Sequence, residues 1–140
     1  MSDKTFFDTN VLVYAFDKSE PKKGAAARRL IHVFGMDGNL VLSTQVLQEF
    51  YVTVTKTGIS MLTREEAEEI VNDFAEFPLV QVNKAIISHA MKRHQSENFS
   101  FWDSLIVEAA IQSGCTQLLS EDMQNGQIFD SLTIHNPFAS

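Results

Sequence analysis

The feature that most restricts the fold is a rhythm: short apolar runs alternate with longer stretches of helical spacing along the whole chain. Thr5-Phe6-Phe7, Leu40-Val41-Leu42, Leu79-Val80-Gln81-Val82 and Leu118-Leu119 have the length and composition of buried strands, and Leu132-Thr133-Ile134 adds a fifth at the edge. The intervals read as helices. Val11-Leu12-Val13-Tyr14 forms an apolar turn, and Pro21 opens a helix carrying Ala25, Ala26, Leu30, Ile31 and Phe34 that Gly35 and Gly38 end. Ser43 or Thr44 caps a helix with Val46, Leu47, Phe50 and Val54 on one face, closed by Gly58. Thr63-Arg64-Glu65-Glu66 has the form of a capping box before a stripe of Ile70, Val71, Phe74 and Phe77. Ile86, Ile87, Ala90 and Met91 line the next helix, and Ser100 to Ile111 forms the last, ended by Gly114. Strands separated by helices imply parallel crossovers, and so an α/β fold: a three-layer α/β/α sandwich around a mostly parallel sheet of four or five strands. In such sheets the ligand crevice lies beyond the carboxyl ends of the strands.

A chain of 140 residues with 44% hydrophobic content can bury a core without disulfides or a structural metal, so a single domain over residues 1–140 is expected. Cys115 is the only cysteine, which excludes an internal disulfide or a thiolate metal site; beside Gly114 it reads as a small buried residue. No run approaches the roughly 18 apolar residues of a membrane span, and Met1-Ser2-Asp3-Lys4 lacks a secretory layout, so a cytoplasmic protein with no membrane partner is expected. The formal charge of −7 opposes nucleic acid as a partner, because phosphate contacts are normally made by Lys and Arg. Four acids bound to a cation would change that: with four carboxylates set aside the remainder is −3, and a divalent ion offsets two more.

Asp8 directly follows the first strand and Asp122 follows Leu118-Leu119-Ser120, so both should reach the carboxyl edge of one sheet. Glu49, early in the helix after the second strand, and Asp103, in the first turn of the helix opened by Ser100, can lean over the same edge. Four carboxylates within about 5 Å would repel by about 3 kcal/mol per pair at an effective dielectric near 20. Either some take up protons or a hard cation sits among them. All-oxygen ligation with no paired His or Cys favours Mg²⁺ or Mn²⁺ over zinc. Such an ion activates water for attack on phosphorus, which makes phosphodiester hydrolysis the leading reading. Asn10 and Ser120, two residues from Asp8 and Asp122, are candidates to hold a ligand carboxylate in place.

Each acid also has an ordinary explanation. Asp8-Thr9-Asn10 suits a helix cap, Asp103 suits a capping box with Ser100, Glu49 an exposed helix position and Asp122 a loop. Their joint placement is harder to assign to chance. His32, His89, His94 and His135 form no i, i+4 pair and read as structural or exposed. Lys22, Lys23, Arg28 and Arg29, and Lys92-Arg93-His94, read first as solvated helix faces and second as an RNA-backbone rim. Most of the eleven Phe residues belong to the core, while Phe99, Phe101, Trp102 and Phe138 suit an oligomer interface.

Taken together, Phe7-Asp8-Thr9-Asn10-Val11-Leu12-Val13-Tyr14-Ala15, Gln48-Glu49-Phe50, Phe101-Trp102-Asp103-Ser104-Leu105-Ile106, Leu118-Leu119-Ser120-Glu121-Asp122-Met123 and the ending Asn136-Pro137-Phe138 resemble a PIN domain, and more narrowly the VapC-type toxin ribonucleases of toxin–antitoxin pairs. The resemblance spans nearly the whole chain. It implies that Asp8, Glu49, Asp103 and Asp122 correspond to the acidic metal-binding and catalytic quartet, with Asn10 and Ser120 supporting; Ser120 stands where family members commonly carry Thr. It further implies Mg²⁺- or Mn²⁺-dependent endoribonuclease action on an RNA substrate, a homodimer, and a cognate antitoxin protein occupying the active-site groove. An aspartyl-phosphate phosphatase also places an Asp after its first strand but needs a second Asp two residues later, where this chain has Asn10. A non-catalytic RNA- or protein-binding module is the other alternative, and it has no need of four converging acids.

Overall fold

The strands that the apolar runs predict form, and they position everything else. In the computed structural model, which describes residues 3–58 and 60–139, the strands are β1 (Thr5–Phe7), β2 (Leu40–Ser43), β3 (Leu79–Val80), β4 (Gln117–Leu119), β5 (Ile128–Phe129) and β6 (Leu132–His135). They make one sheet in the order β3-β2-β1-β4-β6-β5, parallel throughout except for the antiparallel β5–β6 pair. This is one strand more than the expected maximum. The extra strand arises because Ile128-Phe129 folds back on Leu132 through a tight turn in which Asp130 has φ 55°, so β6 sits inside the sheet rather than at its edge.

Among the described residues six helices connect the strands: α1 (Thr9–Tyr14), α2 (Pro21–Met36), α3 (Thr44–Val54), α4 (Arg64–Phe74), α5 (Lys84–Ser96) and α6 (Phe101–Gln112). Every residue of β1 and β2 is buried, as strands covered by helices on both faces must be. Helix α6 is buried without a break from Ser104 to Ala110. The main core joins β1, β2, β4 and β6 to α1, α3 and α6 through Phe6, Phe7, Leu12, Phe50, Ile106 and Leu118; Ile86, Ala90 and Leu105 make a small second cluster between α5 and α6.

Local signals place the helix starts well. Ser43, Thr63, Asn83 and Ser100 each cap a helix through a side-chain oxygen, and the Thr63–Glu66 capping box is complete. Helix ends and faces need correction. Gly35 does not stop α2 but lies inside it, where a Cβ would come within 2.9 Å of the Phe77 ring; the turn that follows is made by Gly38 at φ 73°. Ala25 is exposed and Gly24 and Ala27 face the core instead. Helix α3 ends at Val54, before Gly58. Ile87 and Met91 are 37% and 45% exposed, leaving Ile86 and Ala90 as the buried face of α5. Cys115 is buried, as expected. Phe99 rests on Phe129 and Phe138 on Tyr14, so among the four aromatics considered for an interface Trp102 is the exposed one, at 62%. Among the described residues no helix is long and apolar enough to cross a membrane.

Candidate active site

The direction of chain progression reverses between β1 and β4: β2 and β3 lie on one side, β6 and β5 on the other. The carboxyl ends of β1 and β4 therefore diverge into loops that leave a crevice at this switch point. Phe7 pairs with Leu119 in register, and the Asp8 N–H still donates to the Leu119 carbonyl at 2.9 Å, so Asp8 and Ser120 emerge side by side. Ser120 Oγ donates to Asp8 Oδ2 at 2.7 Å, and the Thr9 N–H donates to Asp8 Oδ1 at 2.8 Å. Asp8 is thus the cap of α1 and at the same time lies at the crevice; the cap does not remove it from the other acids.

Asn10 joins the two strand-end acids. Its Oδ1 accepts from the Glu121 N–H at 3.2 Å, which fixes the amide so that Nδ2 faces carboxylates: Asp122 Oδ2 at 3.1 Å and Asp8 Oδ2 at 3.4 Å. Ser120 Oγ also accepts from the Asp122 N–H at 3.2 Å, turning the loop so that Asp122 follows closely. Glu49 is held at both oxygens, Oε1 by Thr9 Oγ1 at 2.6 Å and Oε2 by Gln45 Nε2 at 3.1 Å. Sequence reasoning did not single out Thr9 or Gln45 as supports. Gln45 stands four residues before Glu49, on the same helix face, which was the available signal; Thr9 is 40 residues from its partner and gives none.

Two of the acids, Asp8 and Asp103, feel the charges of the others. Burial, the largest effect, pushes the Asp8 carboxyl up to about 6; the bonds from Ser120 and Thr9 pull it down, and the charges of Glu49 and Asp103 push it up again. Burial likewise raises the Asp103 carboxyl, opposed by the Ser100 hydroxyl and reinforced by Asp122 and Glu49. Among the described residues no Lys, Arg or His forms an ion pair with any of the four. Lys23, from the basic stretch considered as a rim, instead pairs with Glu121 at 2.6 Å and lies over the Tyr14 ring, while Tyr14 Oη donates to the same carboxylate at 2.5 Å. Arg28 bonds the Ala15 carbonyl at 3.0 Å.

Two clefts meet at Asp122. One, of about 490 Å³, is lined by Asp103, Phe99, Gln124 and Gln127; the other, of about 500 Å³, by Thr9, Asn10, Tyr14 and Glu49. A larger cleft, about 610 Å³ between α3 and α4, touches none of the four acids. Among the described residues no three His, Cys, Asp or Glu side chains stand close enough to hold a metal ion in the rotamers seen here. The fit to a hard cation is therefore one of donor chemistry and charge: four carboxylates, from α3, α6 and the residues that follow β1 and β4, with Asp8 and Asp103 raised by their neighbours' charges and no cationic partner among the described residues.

A parallel α/β fold with acids gathered at its switch point defines the class, and the family follows. The chain belongs to the PIN domain family, whose family model matches residues 5–125. Among solved structures it is similar to a toxin–antitoxin complex from Klebsiella pneumoniae, at 14% identity over 96% of this chain and 98% of that one, with a TM-score of 0.70. It is similar to the DNA-bound VapBC of Salmonella typhimurium at 13% identity, covering 97% and 99%, TM-score 0.67. Mycobacterium tuberculosis VapC20, described as a sarcin-ricin loop cleaving toxin, matches at 15% identity over 82% and 87%, TM-score 0.61. At such identities the likeness is one of fold. No curated protein sequence gives a significant match.

Proposed function

We propose that this PIN domain is an endoribonuclease dependent on Mg²⁺ or Mn²⁺, the toxin of a toxin–antitoxin pair, with Asp8, Glu49, Asp103 and Asp122 as the acids that hold the cation. The observation that carries the reading is the gathering of these carboxylates around the β1/β4 crevice, where the charges of Glu49 and Asp103 raise the Asp8 carboxyl, those of Asp122 and Glu49 raise the Asp103 carboxyl, and no basic side chain among the described residues forms an ion pair with any of the four. A divalent cation bound there supplies the positive charge that draws in a phosphodiester and makes an attacking water more acidic. The chain's own residues do the positioning. Ser120 and the α1 backbone fix Asp8, Asn10 spans Asp8 and Asp122, and Thr9 fixes Glu49. The two clefts flanking Asp122 give an RNA strand a path across the acids on either side. Solved relatives described as toxin–antitoxin and VapBC complexes support a cognate antitoxin partner; a homodimer and a cytoplasmic setting complete the reading.

The open arrangement of the acids favours one competitor, a PIN-fold module that binds RNA or protein without cutting it. One assay separates them. Folded, antitoxin-free protein is expected to cleave a mixed pool of single-stranded and looped RNA with Mg²⁺ or Mn²⁺ and to stop with EDTA. RNA left intact under every metal condition would defeat the nuclease reading and leave the binding module.

A further inference from the structure

We propose that Gln45 is a positioning residue of this site, whose amide ties the Glu49 carboxylate to the opening turn of α6 so that Glu49 and Asp103 face a common cation; the inference rests on the metal-nuclease reading above. Gln45 is the second residue of α3 and only 6% exposed. Its Nε2 donates to Glu49 Oε2 at 3.1 Å and to the Trp102 carbonyl at 3.2 Å, the backbone unit immediately before Asp103. Both amide hydrogens are then used, and the orientation of the amide follows from chemistry. Turned over, its carbonyl oxygen would face a carboxylate and another carbonyl.

The consequence is an orphan. Gln45 Oε1 is buried with no hydrogen-bond partner, alone in this among the side-chain atoms of the described residues. A buried unpaired carbonyl destabilises, and a Met or Leu of similar size would fill the same space without it. What Gln supplies that those residues cannot is a pair of donors aimed at two different elements. The other Glu49 oxygen accepts from Thr9 at 2.6 Å, so the carboxylate is gripped from α1 on one side and from α3 and α6 on the other. Released from that grip, a half-buried carboxylate repelled by neighbouring acids turns toward solvent.

The test is Gln45→Met, which removes both donors and the orphan oxygen while keeping the length of the side chain. Mn²⁺ binding to metal-free protein, followed by electron paramagnetic resonance, is expected to weaken about tenfold, the usual loss when a residue behind a metal ligand is removed. The melting temperature in EDTA should hold or rise. In a Glu49→Gln background the same substitution should cost no further affinity, because Gln45 acts through Glu49. Unchanged Mn²⁺ affinity, or an equal loss in both backgrounds, overturns the proposal; so does a fall in melting temperature with affinity intact. If Gln45→Met does not fold, Gln45→Leu is read against the same expectations. Folded wild-type protein that binds no Mn²⁺ defeats the metal-nuclease reading and this inference with it, a result distinct from a wild type that binds and a variant that binds equally well.

Discussion

Asp8 concentrates the conflict between folding and function in one side chain. It caps α1 and is 7% exposed, yet it is a carboxylate among carboxylates, and burial with their repulsion lifts it to about 6. The folded state therefore binds its proton more tightly than the unfolded chain, whose reference is 3.8. For an acid raised in this way, stability is greatest below pH 4 and is lost as pH rises through 6, by at most about 3 kcal/mol at 1.36 kcal/mol per pKa unit. Asp8→Asn removes that loss. An amide oxygen can still accept from the Thr9 N–H, and its NH₂ can donate to the Ser120 hydroxyl, so little of the cap is forfeited. The expected outcome, with EDTA present, is a variant more stable than wild type by about 1 kcal/mol or more at pH 7.5, the margin closing near pH 4, and without RNA cleavage. Thermal melts across pH check this. A variant less stable at pH 7.5 would mean that capping outweighs repulsion.

The elements were legible in proportion to how local their causes are. Helix α4 is the clearest case: Thr63 and Glu66 satisfy each other's backbone N–H groups at 3.1 and 2.9 Å, and both residues lie within four positions. Thr63→Ala should cost about 1 kcal/mol, a fall of roughly 3 °C in melting temperature, while leaving cleavage per folded molecule unchanged; a loss of cleavage would tie α4 to the site. Gly35 shows the opposite. It looks like a helix stop, but its reason is Phe77, 42 positions on, whose ring leaves no room for a methyl group. The β5–β6 hairpin was missed because two residues of strand give no period to detect. The same division runs through the site. The positions of Asp8, Glu49, Asp103, Asp122, Asn10 and Ser120 at strand ends and helix starts could be read because local pattern fixes those ends, whereas the Thr9–Glu49 and Gln45–Trp102 bonds, 40 and 57 residues apart in sequence, are products of the assembled fold.

At the scale of the molecule, the charge of −7 and the absence, among the described residues, of an ion pair at the four acids pose one electrostatic problem. The native fold brings Asp8, Glu49, Asp103 and Asp122 together from the cap of α1, from α3, from α6 and from the loop after β4; the unfolded chain disperses them. A cation that binds the assembled acids therefore binds the folded state in preference to the unfolded one, and must stabilise it by mass action. At a hundred times its dissociation constant the gain is about 2.7 kcal/mol. The melting temperature of metal-free protein is accordingly expected to climb with the logarithm of Mn²⁺ concentration and to return to its starting value with EDTA. In Asp103→Asn the climb should be much reduced, because a ligand is lost, while the starting value holds or rises, because a repulsion is lost with it. Na⁺ at matched ionic strength separates coordination from screening: general screening would raise wild type and variant alike with the monovalent salt. A melting temperature indifferent to Mn²⁺ in wild type would show that the acids gather without holding an ion, and the crevice between β1 and β4 would then need another occupant.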